Sequence, residues 1–129
     1  MLNQLSVSNF AIVDEIEAEP QDGMTVITGE TGAGKSIMID ALALALGSRA
    51  DSNVVRSGEK KADINANFDI SKVAPAQYWL QQNDFSDDDN QSCLLRRVIT
   101  SEGRSKAYIN GQPATLAQLK VLGEFLVDI

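Results

Sequence analysis

Eight consecutive residues, Gly29-Glu30-Thr31-Gly32-Ala33-Gly34-Lys35-Ser36, combine three glycines, one cation and one hydroxyl at a spacing suited to phosphate chemistry. They fit the pattern G-x-x-x-x-G-K-[ST] without departure. The glycines permit positive φ and leave no Cβ between backbone and ligand. The loop can then turn successive N–H groups inward as an anion nest. A helix starting near Gly34 adds about half a positive charge at its N-terminus. Lys35 brings a full charge to the β- and γ-phosphates, a contact of about 4 kcal/mol at about 4 Å and an effective dielectric near 20, before desolvation. The Ser36 hydroxyl is placed to ligate a Mg²⁺ that bridges the same two phosphates. With Gly at about 7% of residues, and rough frequencies of about 6% for Lys and 12% for Ser plus Thr, a chain of this length matches by chance in roughly half a percent of cases.

A phosphate loop needs a strand before it and a helix after it. Met24-Thr25-Val26-Ile27-Thr28 is a short, apolar, β-branched run and is expected to be a buried, central strand. Lys35 to Leu46 is expected to be a helix, apolar nearly all round and so buried on most sides, with Gly47 as its stop. The loop from Gly47 to Gly58 carries Arg49 and Arg56, which could approach a nucleotide or a partner.

The flanking segments supply the rest of a sheet. Leu5 and Val7 alternate with Gln4, Ser6 and Ser8, and Asp14 to Ala18 repeats the alternation, so an antiparallel hairpin should lead into the phosphate-loop strand. Pro20, Asp22 and Gly23 mark the turn between them. Ala62 to Ile70 alternates without error and predicts a half-exposed antiparallel strand. Pro75 to Gln82 predicts a short helix on which Tyr78 and Trp79 pack. Asp84 to Ser92 is an acidic loop without spaced metal ligands. Cys93 to Thr100 and Ser105 to Asn110 form a hairpin about Ser101-Glu102-Gly103-Arg104. Its Arg96, Arg97, Arg104 and Lys106 read as charges on exposed sheet faces, a role near nucleotide or DNA being the alternative. Gly111-Gln112 turns the chain again. Thr115 and Gln118 make a capping box for a helix that Gly123 should end, and Phe125 to Ile129 is expected to be a buried strand that breaks off at the last residue.

Composition bounds the function. The 129 residues allow one domain with a real core, and 43% apolar and 22% charged residues are ordinary for a globular protein. A net charge of −7 argues against a broad nucleic-acid-binding face. Screening beyond about 8 Å leaves nucleotide binding to the local loop. Without histidine, imidazole catalysis and ligation are excluded, and the lone Cys93 can form no disulfide within the chain. A reduced, cytoplasmic setting is expected, with no signal peptide and no stretch long enough to span a membrane.

Several stretches together resemble the RecN family of bacterial DNA repair proteins. They are Ser8-Asn9-Phe10-Ala11-Ile12-Val13; the run from Val26 to Ser36; Leu46-Gly47-Ser48-Arg49-Ala50; Val55-Arg56-Ser57-Gly58; Leu94-Leu95-Arg96-Arg97-Val98; and Gly103-Arg104-Ser105 with Ile109-Asn110-Gly111. The Glu30-Thr31 form of the loop is narrower than the general motif, since related SMC-like proteins usually carry Pro-Asn there. The resemblance implies an α/β fold, a P-loop NTPase half-head of ABC type and SMC-like, with an antiparallel β subdomain beside the phosphate-loop strand and helix. It implies that residues 1–129 are the first part of one ATP-binding head, ending before the Q-loop, coiled coil, signature motif and Walker B acids. ATP and Mg²⁺ would bind at Gly29 to Ser36, with no catalytic residue in this segment. Partners would be the other half of the head, a second head across ATP, and DNA through the longer, nucleoid-associated protein in recombinational repair of double-strand breaks.

Two other readings stand beside this one. Phe125-Leu126-Val127-Asp128 could be a Walker B strand whose Asp128 holds Mg²⁺, making a self-sufficient small phosphotransferase. Alternatively, the segment is non-enzymatic and its loop stays empty.

Overall fold

Alternating apolar residues dictate a sheet with one covered face, and that sheet dominates the fold. A computed structural model describes residues 2–10, 13–19, 25–26, 39–48, 54–55, 58–86 and 91–126, with backbone alone for 13–19 and 25–26. Among the described residues there are seven strands: β1 (Leu2–Phe10), β2 (Val13–Glu19), β3 (Thr25–Val26), β4 (Lys61–Asp69), β5 (Ser92–Thr100), β6 (Ser105–Ile109) and β7 (Gln112–Ala114). They form one sheet in the order β3-β2-β1-β4-β5-β6-β7, with every neighbouring pair antiparallel. Among the described residues three helices accompany them: α1 (residues 39–45), α2 (Ala74–Gln82) and α3 (Leu116–Leu126).

Register follows the hydrophobic pattern, because a one-residue slip would turn every apolar side chain to the wrong face. Leu5 opposes Ala66 and Val7 opposes Ile64, while Ala66 opposes Leu95 and Ala62 opposes Ile99. Ala62, Ile64, Ala66, Phe68 and Ile70 are all fully buried, so the clearest alternation in the sequence is also the most thoroughly covered strand. Each large apolar side chain of this kind contributes about 1.5–3 kcal/mol by leaving water. Ala41, Leu44 and Ala45 of α1, Ala76 and Leu80 of α2, and Leu119, Leu122 and Leu126 of α3 belong to the same core. Phe10 ends β1 buried and bridges to Val55, which ties the segment after α1 to the sheet.

Local chemistry explains the turns. Thr100 and Arg104 close the β5–β6 hairpin, with the Thr100 amide donating to the Arg104 carbonyl at 2.8 Å and Gly103 at φ 91°. Asn110 and Gly111 both have positive φ, 51° and 84°, the primed two-residue turn that Asn-Gly favours. The turn is therefore Asn110-Gly111 rather than Gly111-Gln112, and the chain returns as β7, which the sequence reading did not assign. The capping box of α3 has both arms: the Gln118 amide donates to Thr115 Oγ1 at 3.1 Å, and the Thr115 amide donates to Gln118 Oε1 at 2.9 Å.

Other expectations are corrected. The segment Phe125 to Ile129 is not a buried strand where it is described: Phe125 and Leu126 complete α3, and Phe125 is exposed. Gly123 does not end that helix but is buried within it against Leu46, whose side chain would lie 3.3 Å from an added Cβ. Among the described residues of α1, Ala41, Leu44 and Ala45 are buried and Leu42 packs partly against the core, while Ile39 is 64% exposed, so the helix is not covered all round. Of the two aromatics on α2, Trp79 packs, stacked on Phe85 with centroids 5.9 Å apart, but Tyr78 points to solvent. β3 stands at the end of the strand order among the described residues, not at its centre. Pro20 to Gly23 and Asp87 to Asp89 lie outside the described residues.

Candidate nucleotide-binding site

The site is built on what flanks the glycine loop. Val26 and Thr25 of β3 pair with Ala18 and Glu19 of β2, so the chain enters the loop from a sheet. After it in the sequence comes α1, described over residues 39–45. Gly29, Glu30, Thr31, Gly32, Ala33, Gly34, Lys35 and Ser36 lie between these two elements in sequence and outside the described residues, as do Arg49, Arg56 and Asp128.

The far end of α1 is described in full. Gly47 stops the helix at φ +106°, a left-handed conformation that costs other residues dearly. Its amide donates to the Leu44 carbonyl at 3.1 Å, and the Ser48 amide donates to the Ala43 carbonyl at 3.1 Å. A Cβ on Gly47 would come within 3.0 Å of the Lys120 amide nitrogen and 3.2 Å of the Leu116 carbonyl oxygen, so α1 ends in direct contact with the start of α3.

The second contact with this end comes from the sheet. Arg97 is fully buried, a correction to its reading as a charge on an exposed face. Nη1 donates to the carbonyl oxygens of Leu44 and Ser48, each at 2.7 Å, and Nε donates to Ser105 Oγ at 2.6 Å. Nη2 is buried and has no hydrogen-bond partner among the described residues. Burial pushes the guanidinium's pKa down from its ordinary value, though an arginine stays charged in proteins. The carbonyls at a helix C-terminus carry the negative end of the macrodipole and favour a cation there. The signal that could have found Arg97 is strand parity. Cys93, Leu95, Arg97 and Ile99 share one face of β5, and the other three are core residues.

Arg96, one residue away, faces the opposite side and behaves as read. Nη2 donates to Asp63 Oδ2 at 2.6 Å and Nε to Asp63 Oδ1 at 3.0 Å, and the guanidinium lies 5.7 Å from the Tyr108 ring centroid. The bond to Asp63 raises the arginine's pKa. Arg104 and Lys106 are exposed. Cys93 is buried, and loss of solvation pushes its thiol up to about 12, so it is no nucleophile. Among the described residues no cluster of three carboxylate or cysteine side chains could hold a metal. No helix among them is long and apolar enough to cross a membrane.

A sheet strand, the glycine-rich run and a helix follow one another in the sequence, and comparison with known proteins bears on the fold. An AAA-domain family profile matches residues 4–124, and the chain belongs to that family. It is similar over its whole length to proteins named DNA repair protein RecN, so the resemblance read from the sequence holds. The identity is 51% to that of Vibrio cholerae, 49% to that of Haemophilus influenzae and 40% to that of Bacillus subtilis. The chain spans 23%, 23% and 22% of the length of those relatives. Among solved structures, an SMC ATPase studied for ATP-driven dimerization and DNA-stimulated activation superimposes with a TM-score of 0.69 at 22% identity, covering 97% of this chain and 78% of that one. The recombination mediator RecF superimposes with a TM-score of 0.61 at 14% identity, covering 92% of this chain and 29% of that one. The fold is that of an SMC-like, ABC-type head, with the antiparallel β subdomain beside the phosphate-loop strand and helix.

Proposed function

We propose that residues 1–129 are the first part of one ATP-binding head, and that Gly29 to Ser36 hold the triphosphate of Mg-ATP. The observation that supports this is the position of the loop: residues able to cradle phosphate stand between a paired sheet strand and a helix. That order fits the nucleotide, because it brings backbone amides and a helix N-terminus toward one anion. Gly29, Gly32 and Gly34 let amides approach the phosphates, Lys35 neutralises the β- and γ-phosphates, and Ser36 offers its hydroxyl to Mg²⁺. Mg²⁺, held through Ser36, would supply charge neutralisation at the triphosphate.

Turnover is assigned elsewhere. Among the described residues no group of three or more carboxylate or cysteine side chains is placed to hold a metal, and the reading leaves hydrolysis to residues outside this segment. Phe125 and Leu126, the first two residues of the run read as a Walker B strand, are helical, which weighs against a self-sufficient phosphotransferase, while Asp128 lies outside the described residues. In the longer relatives the remaining head would add strands beside β3 and the acids of hydrolysis. A second head would close over ATP, and DNA would engage the whole assembly in recombinational repair of double-strand breaks in the cytoplasm. Calorimetric titration of the chain with Mg-ATP tests the binding step. Binding that Lys35→Ala abolishes is expected; no heat from the folded wild type, or equal binding by Lys35→Ala, would favour an empty structural loop.

A further inference from the structure

We propose that Asn110 is a latent deamidation site, held shut by the fold and opened when its turn comes away from the segment after α2. Asparagine followed by glycine is the pairing most open to this chemistry, because a glycine amide has no Cβ beside it to hinder attack. The Gly111 nitrogen adds to Asn110 Cγ, and the Cγ–Nδ2 bond breaks. Ammonia leaves with the proton that the Gly111 nitrogen gave up, and a cyclic imide remains. Water then adds to one of the two imide carbonyls. Opening at Cγ gives aspartate, and opening at the backbone carbonyl gives isoaspartate, with the chain routed through Cβ. One water enters and one ammonia departs, and no oxidant, metal or enzyme is required.

The surroundings admit the reaction on one side and block it on the other. Gly111 is exposed, and a Cβ built on it would meet nothing within 4 Å, so the imide ring and water both have room. The Asn110 side chain, by contrast, is bound at both ends. Oδ1 accepts from the Leu94 amide at 2.8 Å, and Nδ2 donates to the Phe85 carbonyl at 2.7 Å. The Asn110 amide also donates to the Leu94 carbonyl at 2.8 Å. Phe85 is itself held in place: it is buried, it stacks on Trp79, and its amide donates to the Leu80 carbonyl at 2.8 Å. Attack requires Asn110 Cγ to swing onto the Gly111 nitrogen, which breaks both side-chain bonds. A net hydrogen bond corresponds to about fivefold in an equilibrium, so the two together should slow conversion about 30-fold.

Neither product fits where the asparagine stood. Aspartate keeps an acceptor for the Leu94 amide but has no donor for the Phe85 carbonyl. It sets a charged oxygen against that carbonyl oxygen, where Nδ2 had stood 2.7 Å away. Isoaspartate adds one backbone atom to a two-residue turn that runs between the paired Ile109 and Gln112. Each product therefore loosens the join between the β6–β7 turn and the segment after α2. Because the conversion runs one way, the site keeps a covalent record of past openings at this edge of the sheet.

The test ages the wild-type chain at mildly alkaline pH, folded in buffer and unfolded in guanidinium chloride, and reads residue 110 by peptide mass spectrometry. The unfolded chain is expected to convert at Asn110 to a mixture of aspartate and isoaspartate, and the folded chain to do so about 30-fold more slowly. Equal rates in the two states overturn the clamp. No conversion in the unfolded chain overturns the site. Gly111→Ala in guanidinium chloride should convert more slowly than wild type, because its methyl group crowds the attacking nitrogen; an equal rate, or aspartate without isoaspartate, overturns the imide route. Asn110→Asp supplies one product directly, and aspartate tolerates positive φ, so the variant isolates the lost donor. Its unfolding equilibrium constant should rise about 5- to 150-fold in a urea titration, and wild-type stability would overturn the claimed loosening. Should Asn110→Asp not fold, the ageing rates of the wild type decide.

Discussion

Replacing Gly47 by alanine separates backbone conformation from packing at the end of α1. Gly47 and Gly103 share a left-handed backbone, with φ of +106° and +91°. An alanine at either position pays about 1–2 kcal/mol for that conformation. The two sites differ in what a Cβ would meet. Nothing lies within 4 Å of Gly103, whereas at Gly47 the new carbon would fall 2.7 Å from Lys120 Cγ, 3.0 Å from the Lys120 nitrogen and 3.2 Å from the Leu116 oxygen. The lysine side chain can swing away, but the nitrogen and oxygen belong to the α3 backbone. Relief there requires the helix to move, which costs about 1–3 kcal/mol more. Gly47→Ala should therefore cost about 2–5 kcal/mol in total and Gly103→Ala about 1–2, out of about 5–15 kcal/mol for a whole domain. Urea denaturation reads the difference as a larger fall in midpoint for Gly47→Ala at unchanged slope. Equal destabilisation of the two variants would refute the claim that α1 ends pressed against α3.

Three further outcomes follow from the described contacts. Thr115→Ala removes the hydroxyl arm of the α3 capping box and should cost about 0.5–2 kcal/mol by urea denaturation, with Gln118→Ala costing less. Cys93 holds its proton in the folded state from an ordinary value of 9.0 up to about 12, so its contribution to stability is full below pH 9 and is lost as pH rises toward about 12. Over that window the unfolded chain binds fewer protons, and stability should fall by up to about 1.4 kcal/mol per pH unit, a slope that Cys93→Ala abolishes. The same thiol should resist aromatic disulfide reagents until the chain unfolds. Arg96→Ala breaks a bidentate pair with Asp63 whose side chains are 41% and 23% exposed, so the loss should be only about 0.2–1 kcal/mol and shrink with added salt.

Much of the fold was legible because period-two alternation carries both strand and face. Ala62 to Ile70 needed nothing beyond its own pattern, and Thr115 with Gln118 announced the start of α3. The misreadings arise where a residue's partner is distant in sequence. Phe125-Leu126 is apolar enough for a buried strand, and only packing of Leu119, Leu122 and Leu126 onto the core extends the helix through it. Gly123 looked like a terminator because glycine lowers helix propensity by about 1 kcal/mol, but close approach to Leu46 gives it a packing role inside the helix. Arg97 looked solvated because charge usually is. Its burial depends on two carbonyls about fifty positions earlier in the chain, which no local pattern reveals. Ile39 and Tyr78 err in the other direction, apolar or aromatic yet exposed, since covering a helix stripe does not cover the whole helix. For the candidate site, the expected loop chemistry comes from residue types alone, and Gly29 to Ser36 lie outside the described residues.

The central claim is that backbone amides of the glycine loop close around phosphate. Amide resonances of Gly29, Gly32 and Gly34 in the isotopically labelled chain, followed through a Mg-ATP titration, address it most directly. All three should shift strongly and saturate together, with the β-sheet amides of β5 and β6 nearly unmoved and the shifts lost in Lys35→Ala. Glycine amides that stay in place at saturating Mg-ATP would contradict the account.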